Sequence, residues 1–271
     1  MMIETGDGTQ LHALTYGEGR DVVLVHGWPL SHAMWEYQFE PLVAAGNRVI
    51  AYCRRGFGHS GKPWTGYDYD TLADDLAAVM EATGAKDAAL VGFSMGGGEV
   101  ARYMSRHGDK GVRSAALVSA VTPYMLKGDD NPDGIDGSIL AGMKEGLRED
   151  RPGFLKEFNK DFFGQGLVSG VSEAMLDWAV ATAMQASPKA TLDCVDAFGK
   201  TDFRPDMSAF RVPTLIVHGT ADKTVPIEAS ADRAAEMIPT AKIKRYDGAP
   251  HALVITHKDQ FNEDLVAFLG E

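Results

Sequence analysis

The sequence predicts an α/β fold in which a mostly parallel central sheet is flanked by helices and carries an inserted helical cap. Short apolar runs alternate with helix-like segments, which is typical of a parallel sheet covered on both faces. The alternation stops after Ala120 and resumes at Val212. Because the same pattern continues beyond the interruption, we expect a single domain with a core of 1–120 and 211–271 and a cap of 121–210.

The core pattern gives strands and helices in alternation. The predicted strands are Leu11–Tyr16, Asp21–His26, Arg48–Tyr52, Ala88–Phe93, Ser114–Ser119, Thr214–His218 and Lys242–Tyr246. The predicted helices are Trp35–Ala44, Tyr69–Thr83, Gly96–His107, Ile227–Met237 and Lys258–Leu269. The cap segment begins with a loop rich in Gly, Asp and Pro. It continues as helices that carry Phe154, Phe158, Phe162, Phe163, Met175, Trp178 and Met184.

Composition narrows the class of protein. The chain has 271 residues, enough for one large domain, with 45% hydrophobic and 24% charged residues. No apolar run is long enough to cross a bilayer, and the first residues lack the pattern of a signal peptide. The net charge of −12 disfavours nucleic acids and anionic membranes. We therefore expect a cytoplasmic protein that acts on small molecules. The sequence leaves the oligomeric state open and allows a homo-oligomer.

The cysteines and histidines do not predict a metal site. Cys53 and Cys194 fit no metal-binding spacing and are expected to be reduced and buried. No histidine pair has a helical ligand spacing such as H-E-x-x-H. We therefore expect no metal and no cofactor.

A nucleophile elbow is the most informative motif of the chain. Gly92-Phe93-Ser94-Met95-Gly96 joins an apolar strand-like run to a helix-like segment. A serine in such a sharp turn is exposed at the sheet edge, and the glycines two before and two after it remove side chains that would collide. The motif predicts that Ser94 is a catalytic nucleophile.

A serine hydroxyl needs a base to take its proton and a third group to orient that base. In folds built around an elbow, the acid and then the histidine follow the serine along the chain. Asp222 follows the predicted strand Thr214–His218, and His251 lies in the loop before the last helix. These two residues are the predicted acid and base. Asp202 and Asp206 are rival acids, but they precede the strand.

Acyl transfer also requires hydrogen-bond donors for a negative oxygen. The Met95 backbone N–H lies at the positive end of a predicted helix. The Trp28 N–H follows the strand-like run that ends in His26-Gly27. Pro29 has no N–H to offer. Met95 and Trp28 are therefore the predicted oxyanion donors.

Nearly the whole chain resembles the bacterial arylesterases and cofactor-free haloperoxidases, or perhydrolases, of the α/β-hydrolase superfamily. The resemblance rests on His26-Gly27-Trp28-Pro29-Leu30, Arg54-Arg55-Gly56-Phe57-Gly58, Gly92-Phe93-Ser94-Met95-Gly96-Gly97-Gly98, Thr201-Asp202-Phe203-Arg204-Pro205-Asp206 and Ala249-Pro250-His251. It implies the α/β-hydrolase fold, with Ser94, Asp222 and His251 as the triad. Members usually carry an acid where this chain has Cys53, a departure that leaves the triad intact.

The resemblance also implies an activity. Family members hydrolyse small aryl and alkyl esters, and several form peracids from carboxylic acids and hydrogen peroxide without metal or haem. We therefore expect a serine carboxylesterase that works through an acyl-enzyme, with perhydrolysis as a side activity. Aromatic and Met residues of the cap and core predict an apolar pocket for short acyl groups. Its expected lining is Trp28, Pro29, Phe93, Val121, Met125, Phe158 and Phe162.

Other functions remain open on the sequence. Carbon–carbon bond hydrolases, lactonases and lactamases share this triad, whereas a serine at position 94 argues against haloalkane dehalogenases and epoxide hydrolases, which use an aspartate. A ligand receptor that keeps a hydrolase pocket and signals through its cap is a further alternative. A turnover assay separates a receptor from an enzyme.

Pro29 is the residue on which we expect peroxide chemistry to depend. Proline fixes its own φ and restricts the residue before it, so it sets the direction of the Trp28 carbonyl. Pointing into the site, that carbonyl accepts a hydrogen bond from hydrogen peroxide as it attacks the acyl-enzyme. Water gains less because it lacks the second oxygen.

Overall fold

An eight-stranded sheet forms the centre of the molecule, in the order β1-β2-β4-β3-β5-β6-β7-β8. The computed structural model describes residues 1–166 and 171–271. Strand β2 pairs antiparallel with both β1 and β4. The other strands run parallel to one another, in the sheet order β4, β3, β5, β6, β7 and β8. The strands are β1 Met2–Glu4, β2 Gln10–Tyr16, β3 Arg20–Val25, β4 Asn47–Tyr52, β5 Ala88–Phe93, β6 Val112–Val118, β7 Thr214–Gly219 and β8 Ala241–Tyr246.

Helices cover both faces of this sheet, and each face has its own apolar core cluster. A short 3₁₀ helix covers His32–Trp35. The α-helices are α1 Glu36–Ala44, α2 Tyr69–Thr83, α3 Met95–His107, α4 Gly137–Glu149, α5 Arg151–Phe162, α6 Glu173–Met184, α7 Pro188–Lys200, α8 Arg204–Met207, α9 Ala231–Met237, α10 Leu253–Thr256 and α11 Lys258–Leu269. Among the described residues, no helix is long and apolar enough to cross a membrane.

The predicted α/β fold is confirmed, and each predicted strand is present with bounds shifted by at most two residues. Strand β1 was missed because three residues are too short to show a periodic pattern. Helix α9 begins at Ala231, later than the predicted Ile227, because the chain before it makes tight turns. In those turns the Ala229 N–H donates to the Pro226 carbonyl and the Ser230 N–H to the Ile227 carbonyl.

Helices α4 to α8 lie between β6 and β7, in the segment 121–210 predicted as a cap. Residues 167–170 of that prediction lie outside the described residues. Several hydrogen bonds join these helices to the core, and two of them lie near the predicted site. The Trp28 indole N–H donates to the Thr191 carbonyl over 3.1 Å, and the Ala252 N–H donates to the Phe162 carbonyl over 2.9 Å. Both bonds fix the segment beside residues 28 and 251.

Candidate active site

Ser94 occupies a strained turn between β5 and α3, with φ 53° and ψ −119°. Close packing explains the two flanking glycines. A Cβ at Gly92 would lie 2.5 Å from the Gly96 carbonyl oxygen, and a Cβ at Gly96 would lie 2.3 Å from the Val25 carbonyl oxygen. Strained backbone of this kind costs about 1–3 kcal/mol and persists where the surrounding structure enforces it. The side chain that it presents is that of the predicted nucleophile.

His251 and Asp222 converge on Ser94 from the loops after β8 and β7. The His251 Nε2 lies 2.9 Å from the Ser94 hydroxyl oxygen, and its Nδ1 lies 2.6 Å from the Asp222 Oδ2. The side chains of His251 and Asp222 are fully buried, whereas Ser94 keeps 6% of its surface exposed. The three predicted triad residues thus form one hydrogen-bonded chain that ends at an accessible hydroxyl.

The Asp222 carboxylate accepts several hydrogen bonds. Its Oδ1 accepts the backbone N–H groups of Thr224 and Val225 over 2.9 and 2.8 Å. Burial alone raises the pKa of this carboxyl, but the His251 charge and the bonds from His218 and His251 outweigh it and hold the pKa well below its usual range. The group is therefore a carboxylate that orients His251.

His218 is a contact of this acid that the sequence analysis did not assign to the site. Its Nε2 lies 3.2 Å from the Asp222 Oδ2 and 2.9 Å from the Val225 carbonyl oxygen. The residue was placed inside a strand, and it does lie near the end of β7, fully buried. The sequence contained one signal for this contact, namely that His218 ends a predicted strand four residues before Asp222.

Two aromatic rings enclose the His251 imidazole. The ring centroids of Phe93 and Phe162 lie 5.0 and 4.9 Å from that of His251. The Ser119 hydroxyl donates to the His251 carbonyl over 3.2 Å. Phe93 and Phe162 were predicted to line the substrate pocket, but neither lies in the wall of the cavity described below. Both are almost fully buried and support the histidine from behind.

The predicted oxyanion donors lie beside the serine. A Cβ at Gly27 would lie only 3.1 Å from the Ser94 Cβ, which places the Gly27–Trp28 peptide against the nucleophile. Met95 is the first residue of α3. Among the described residues, neither the Trp28 nor the Met95 backbone N–H donates to a protein acceptor. Both are available to an oxygen bound at Ser94.

His26 holds the peptide that carries the Trp28 N–H. Its Nδ1 lies 2.8 Å from the Gly27 carbonyl oxygen, and its Nε2 accepts the Arg54 backbone N–H over 2.9 Å. Burial lowers the pKa of His26 well below its usual value. A neutral imidazole that accepts at Nε2 must donate from Nδ1. His26 therefore fixes the Gly27 carbonyl. Because the Trp28 N–H belongs to the same planar peptide group, its direction is fixed as well.

A buried ion pair supports this loop from below. The Arg54 guanidinium pairs with the Glu99 carboxylate and donates to the His26 carbonyl over 2.5 Å. The Tyr52 hydroxyl donates to the same carboxylate over 2.8 Å. Burial raises the pKa of Glu99 to about 7. All of these groups are buried, so the loss of one partner would leave an unpaired polar group in the core.

An apolar cavity of about 430 Å³ opens onto Ser94 and His251. Of the predicted pocket residues, Trp28, Val121, Met125 and Phe158 line it. Pro29 does not, because it is buried next to Trp28 outside the cavity wall. Residues of the cap segment and the β7 loop add apolar lining that the sequence analysis missed, namely Ile135, Ile139, Met143, Phe154, Phe198 and Val225.

Charged side chains also contribute to the cavity wall. Glu157 and Asp161 come from α5, and Lys223 comes from the loop after β7. The Lys223 ammonium lies 3.6 Å from an Asp161 carboxylate oxygen, and both side chains are largely exposed. The cavity is thus apolar near the serine, with an exposed ion pair between core and cap. Such a site suits an uncharged organic group.

The chain as a whole is similar to known proteins. A protein-family model described as alpha/beta hydrolase fold matches residues 22–258. The chain is 43% identical to a non-heme chloroperoxidase of Kitasatospora aureofaciens and 38% identical to a bifunctional esterase/perhydrolase of Acinetobacter calcoaceticus, each over 98% of both chains. The crystal structure of a bromoperoxidase from Bacillus anthracis is 46% identical, covers 100% of this chain and 99% of its own, and superposes with a TM-score of 0.96.

Proposed function

Because this chain belongs to the alpha/beta hydrolase family, as the resemblance of its motifs predicted, we propose that it is a serine carboxylesterase that hydrolyses small esters through an acyl-enzyme. The hydrogen-bonded series Ser94–His251–Asp222 at an apolar cavity carries the proposal. The names of two relatives, a chloroperoxidase and an esterase/perhydrolase, support a second reaction of the same acyl-enzyme with hydrogen peroxide.

Acylation uses the residues in the positions described above. The Ser94 hydroxyl attacks the ester carbonyl carbon while the His251 Nε2 takes its proton, and Asp222 stabilises the imidazolium that forms. The carbonyl oxygen becomes negative and accepts hydrogen bonds from the Trp28 and Met95 N–H groups. When the tetrahedral intermediate collapses, His251 returns the proton to the leaving alkoxide. The products are an alcohol and an acyl group bonded to Ser94.

Deacylation repeats these steps with a second nucleophile. His251 takes a proton from water, the oxygen attacks the acyl carbon, and Ser94 leaves with the proton that His251 returns. With hydrogen peroxide in place of water, the same proton transfers release a peracid. Halide oxidation then occurs outside the site, because the released peracid carries the oxidising oxygen into solution. Perhydrolysis consumes the acyl-enzyme and hydrogen peroxide, and the peracid is reduced to the carboxylic acid when it oxidises a halide.

Multiple turnover separates this function from that of a ligand receptor. We expect p-nitrophenyl acetate at a large molar excess to be consumed completely, with repeated acylation and release. A receptor that kept the pocket would release about one equivalent of p-nitrophenol and then stop. That outcome would contradict the proposed function.

The acyl preference is expected to follow the size of the cavity. Each buried methylene contributes about 0.8 kcal/mol, so kcat/KM should rise roughly fourfold per carbon while the cavity fills. It should then fall, since the walls are packed side chains. A series of p-nitrophenyl esters from acetate to decanoate measures this. A steady rise to decanoate would indicate an open groove instead.

Phe158 provides the matched test of that wall. Its ring lies 5.4 Å from that of Trp28, between cap and core, and it lines the cavity. Phe158→Ala is expected to move the preferred acyl chain to a greater length, because the space of the ring becomes available. Phe158→Leu should produce a smaller shift. An unchanged preference in both variants would show that another wall limits the acyl group.

Peroxide specificity is expected to depend on Pro29. Replacement by Leu or Ala frees the backbone around Trp28, whose carbonyl we propose as the acceptor for hydrogen peroxide. A hydrogen bond of about 1 kcal/mol corresponds to a roughly fivefold fall in the ratio of perhydrolysis to hydrolysis. Ester hydrolysis should stay within about twofold, since the Trp28 N–H belongs to the preceding peptide, which His26 holds through the Gly27 carbonyl. Both rates are measured on acetate esters. An equal ratio of perhydrolysis to hydrolysis in wild type and variants would show that Pro29 acts only as a turn residue.

A further inference from the structure

A cluster of two imidazoles and a thiol lies outside the triad. His12 is on β2, His32 is in the 3₁₀ helix, and Cys53 directly follows β4. One ligand atom from each lies within 4.8 Å of the other two. The His12 Nδ1 and the His32 Nε2 are 3.0 Å apart. The sequence analysis predicted no metal site, because it considered only residues close along the chain.

Backbone and hydroxyl hydrogen bonds fix the elements that carry this cluster. The Cys53 N–H donates to the His12 carbonyl over 2.8 Å. The Ser60 hydroxyl accepts the His12 N–H over 2.9 Å and donates to the Cys53 carbonyl over 2.5 Å. At Gly58, which has φ +50°, a Cβ would lie 2.5 Å from the Cys53 sulfur. The Cys53 sulfur therefore packs closely against Gly58, and the backbone that carries His12 and Cys53 is fixed before any ligand binds.

Hydrogen bonding accounts for only one of the two nitrogen atoms of the buried His32 imidazole. The residue is more than nine-tenths buried, and among the described residues its Nδ1 has no hydrogen-bond partner. Its Nε2 faces another imidazole nitrogen rather than a carbonyl or a carboxylate. Buried polar atoms without partners are rare, and a bound ion or water is a common explanation.

The set of donors is selective in its chemistry. Thiolate with imidazole suits Zn²⁺ and the metals that substitute for it, whereas Mg²⁺ and Ca²⁺ prefer oxygen. Tetrahedral zinc, with bonds of about 2.0–2.3 Å, separates its ligand atoms by about 3.4–3.7 Å. The separations in this cluster bracket that range, since the His12 and His32 nitrogen atoms are 3.0 Å apart and the three ligand atoms lie within 4.8 Å of one another.

His59 is placed to complete the coordination. Its ring centroid lies 5.2 Å from that of His12 and 6.3 Å from that of His32. The residue is exposed in the turn after Gly58, so its ring is free to rotate towards the cluster. This third imidazole or a water molecule would fill the fourth position of a tetrahedral site.

We propose that His12, His32 and Cys53, with His59 or water as the fourth ligand, bind one zinc-type divalent ion. The ion joins the neighbouring strands β2 and β4, near the β1 edge of the sheet, to the segment that follows the Gly27–Trp28 loop. It takes no part in ester chemistry, since its ligands include none of Ser94, His251 and Asp222. Its consequence is added stability of the folded chain at that edge, by the mass action of a ligand that binds only the native state.

Cobalt provides a direct test. The reduced full-length chain is freed of metal with a chelator and titrated with Co²⁺. We expect one equivalent to bind, with tetrahedral visible absorption and a near-ultraviolet thiolate-to-cobalt band. Zn²⁺ should displace it and raise the Tm by roughly 5 °C at a hundredfold excess over its Kd.

Variants assign the ligands. Cys53→Ser should abolish the thiolate band and weaken binding at least about a hundredfold, since removing even a hydrogen-bond partner of a ligand costs about 10- to 100-fold. Cys194→Ser, which removes the other buried thiol, should change neither. His12→Gln keeps the thiol and provides a second test if the Cys53 variant does not fold, and it should also weaken binding. His107→Gln is its matched control, because His107 lies elsewhere, beside Asp74.

Two outcomes would refute the site. In one, the wild-type chain shows no thiolate band at a large excess of Co²⁺. In the other, Cys53→Ser or His12→Gln binds as tightly as wild type, which would mean adventitious binding at surface groups. All readouts are spectroscopic or thermal, so the result is independent of the proposed esterase activity.

Discussion

Ser94→Ala is expected to lower kcat for ester hydrolysis by on the order of 10⁶-fold, as loss of the nucleophile does in other serine hydrolases. His251 then has no hydroxyl to deprotonate, and no acyl-enzyme forms. The Trp28 and Met95 N–H groups and the cavity remain, so a residual 10³–10⁴-fold acceleration over water, roughly, is expected. The fold should persist, because alanine has the same backbone requirements as serine at this φ.

Two measurements check this result. The first is the steady-state rate with p-nitrophenyl acetate. The second is covalent labelling by an organophosphate, with the added mass located on the peptide that contains Ser94. Ser105→Ala is the matched control, since it changes a serine on the same helix α3 whose hydroxyl contacts Asp206 and not the triad. Full activity or labelling in Ser94→Ala would assign the nucleophile elsewhere.

Asp222→Asn is expected to lower kcat by about 10⁴-fold while KM changes little. The Thr224 and Val225 N–H groups both donate to Oδ1, so they require an oxygen at that position. The new amide must then turn its NH₂ group towards the His251 Nδ1. An imidazole that accepts at Nδ1 carries its proton on Nε2 and points it at the Ser94 hydroxyl. In that tautomer His251 cannot act as the base.

Asp202→Asn is the control for this experiment. Asp202 was a rival acid in the sequence, but its carboxylate pairs with Arg204 and is partly exposed. We expect its activity to stay within about twofold of wild type. Circular dichroism and Tm establish that both variants are folded. A large loss in Asp202→Asn with normal activity in Asp222→Asn would exchange the two assignments.

The sequence alone determined the order of the elements and the loops that carry the proposed triad. Ser94 follows one strand and Asp222 follows another, and His251 lies in the loop after the last strand. Because the carboxyl ends of parallel strands lie at the same edge of a sheet, residues that follow nearby strands such as β5, β7 and β8 can meet there. Glycines that mark a turn, such as Gly92 and Gly96 around Ser94, were sufficient to locate this edge in the sequence.

The sequence did not determine which side chains face each other within that edge. Phe93 and Phe162 carry the apolar character of pocket residues, but they pack behind His251 because both rings are buried against it. His218 has no motif, and its bond to Asp222 depends on how the chain turns after β7. Side-chain directions of this kind are set by close packing, which a linear pattern does not contain.

Tertiary structure alone brought His12, His32 and Cys53 together. The antiparallel pairing of β2 with β4 puts His12 beside Cys53, and the 3₁₀ helix brings His32 to both. The antiparallel strand reverses the direction of the chain, so the rule that locates the ends of parallel strands does not apply to it. Long-range pairing thus decided this cluster, whereas local turns and strand order along the chain were enough for the triad.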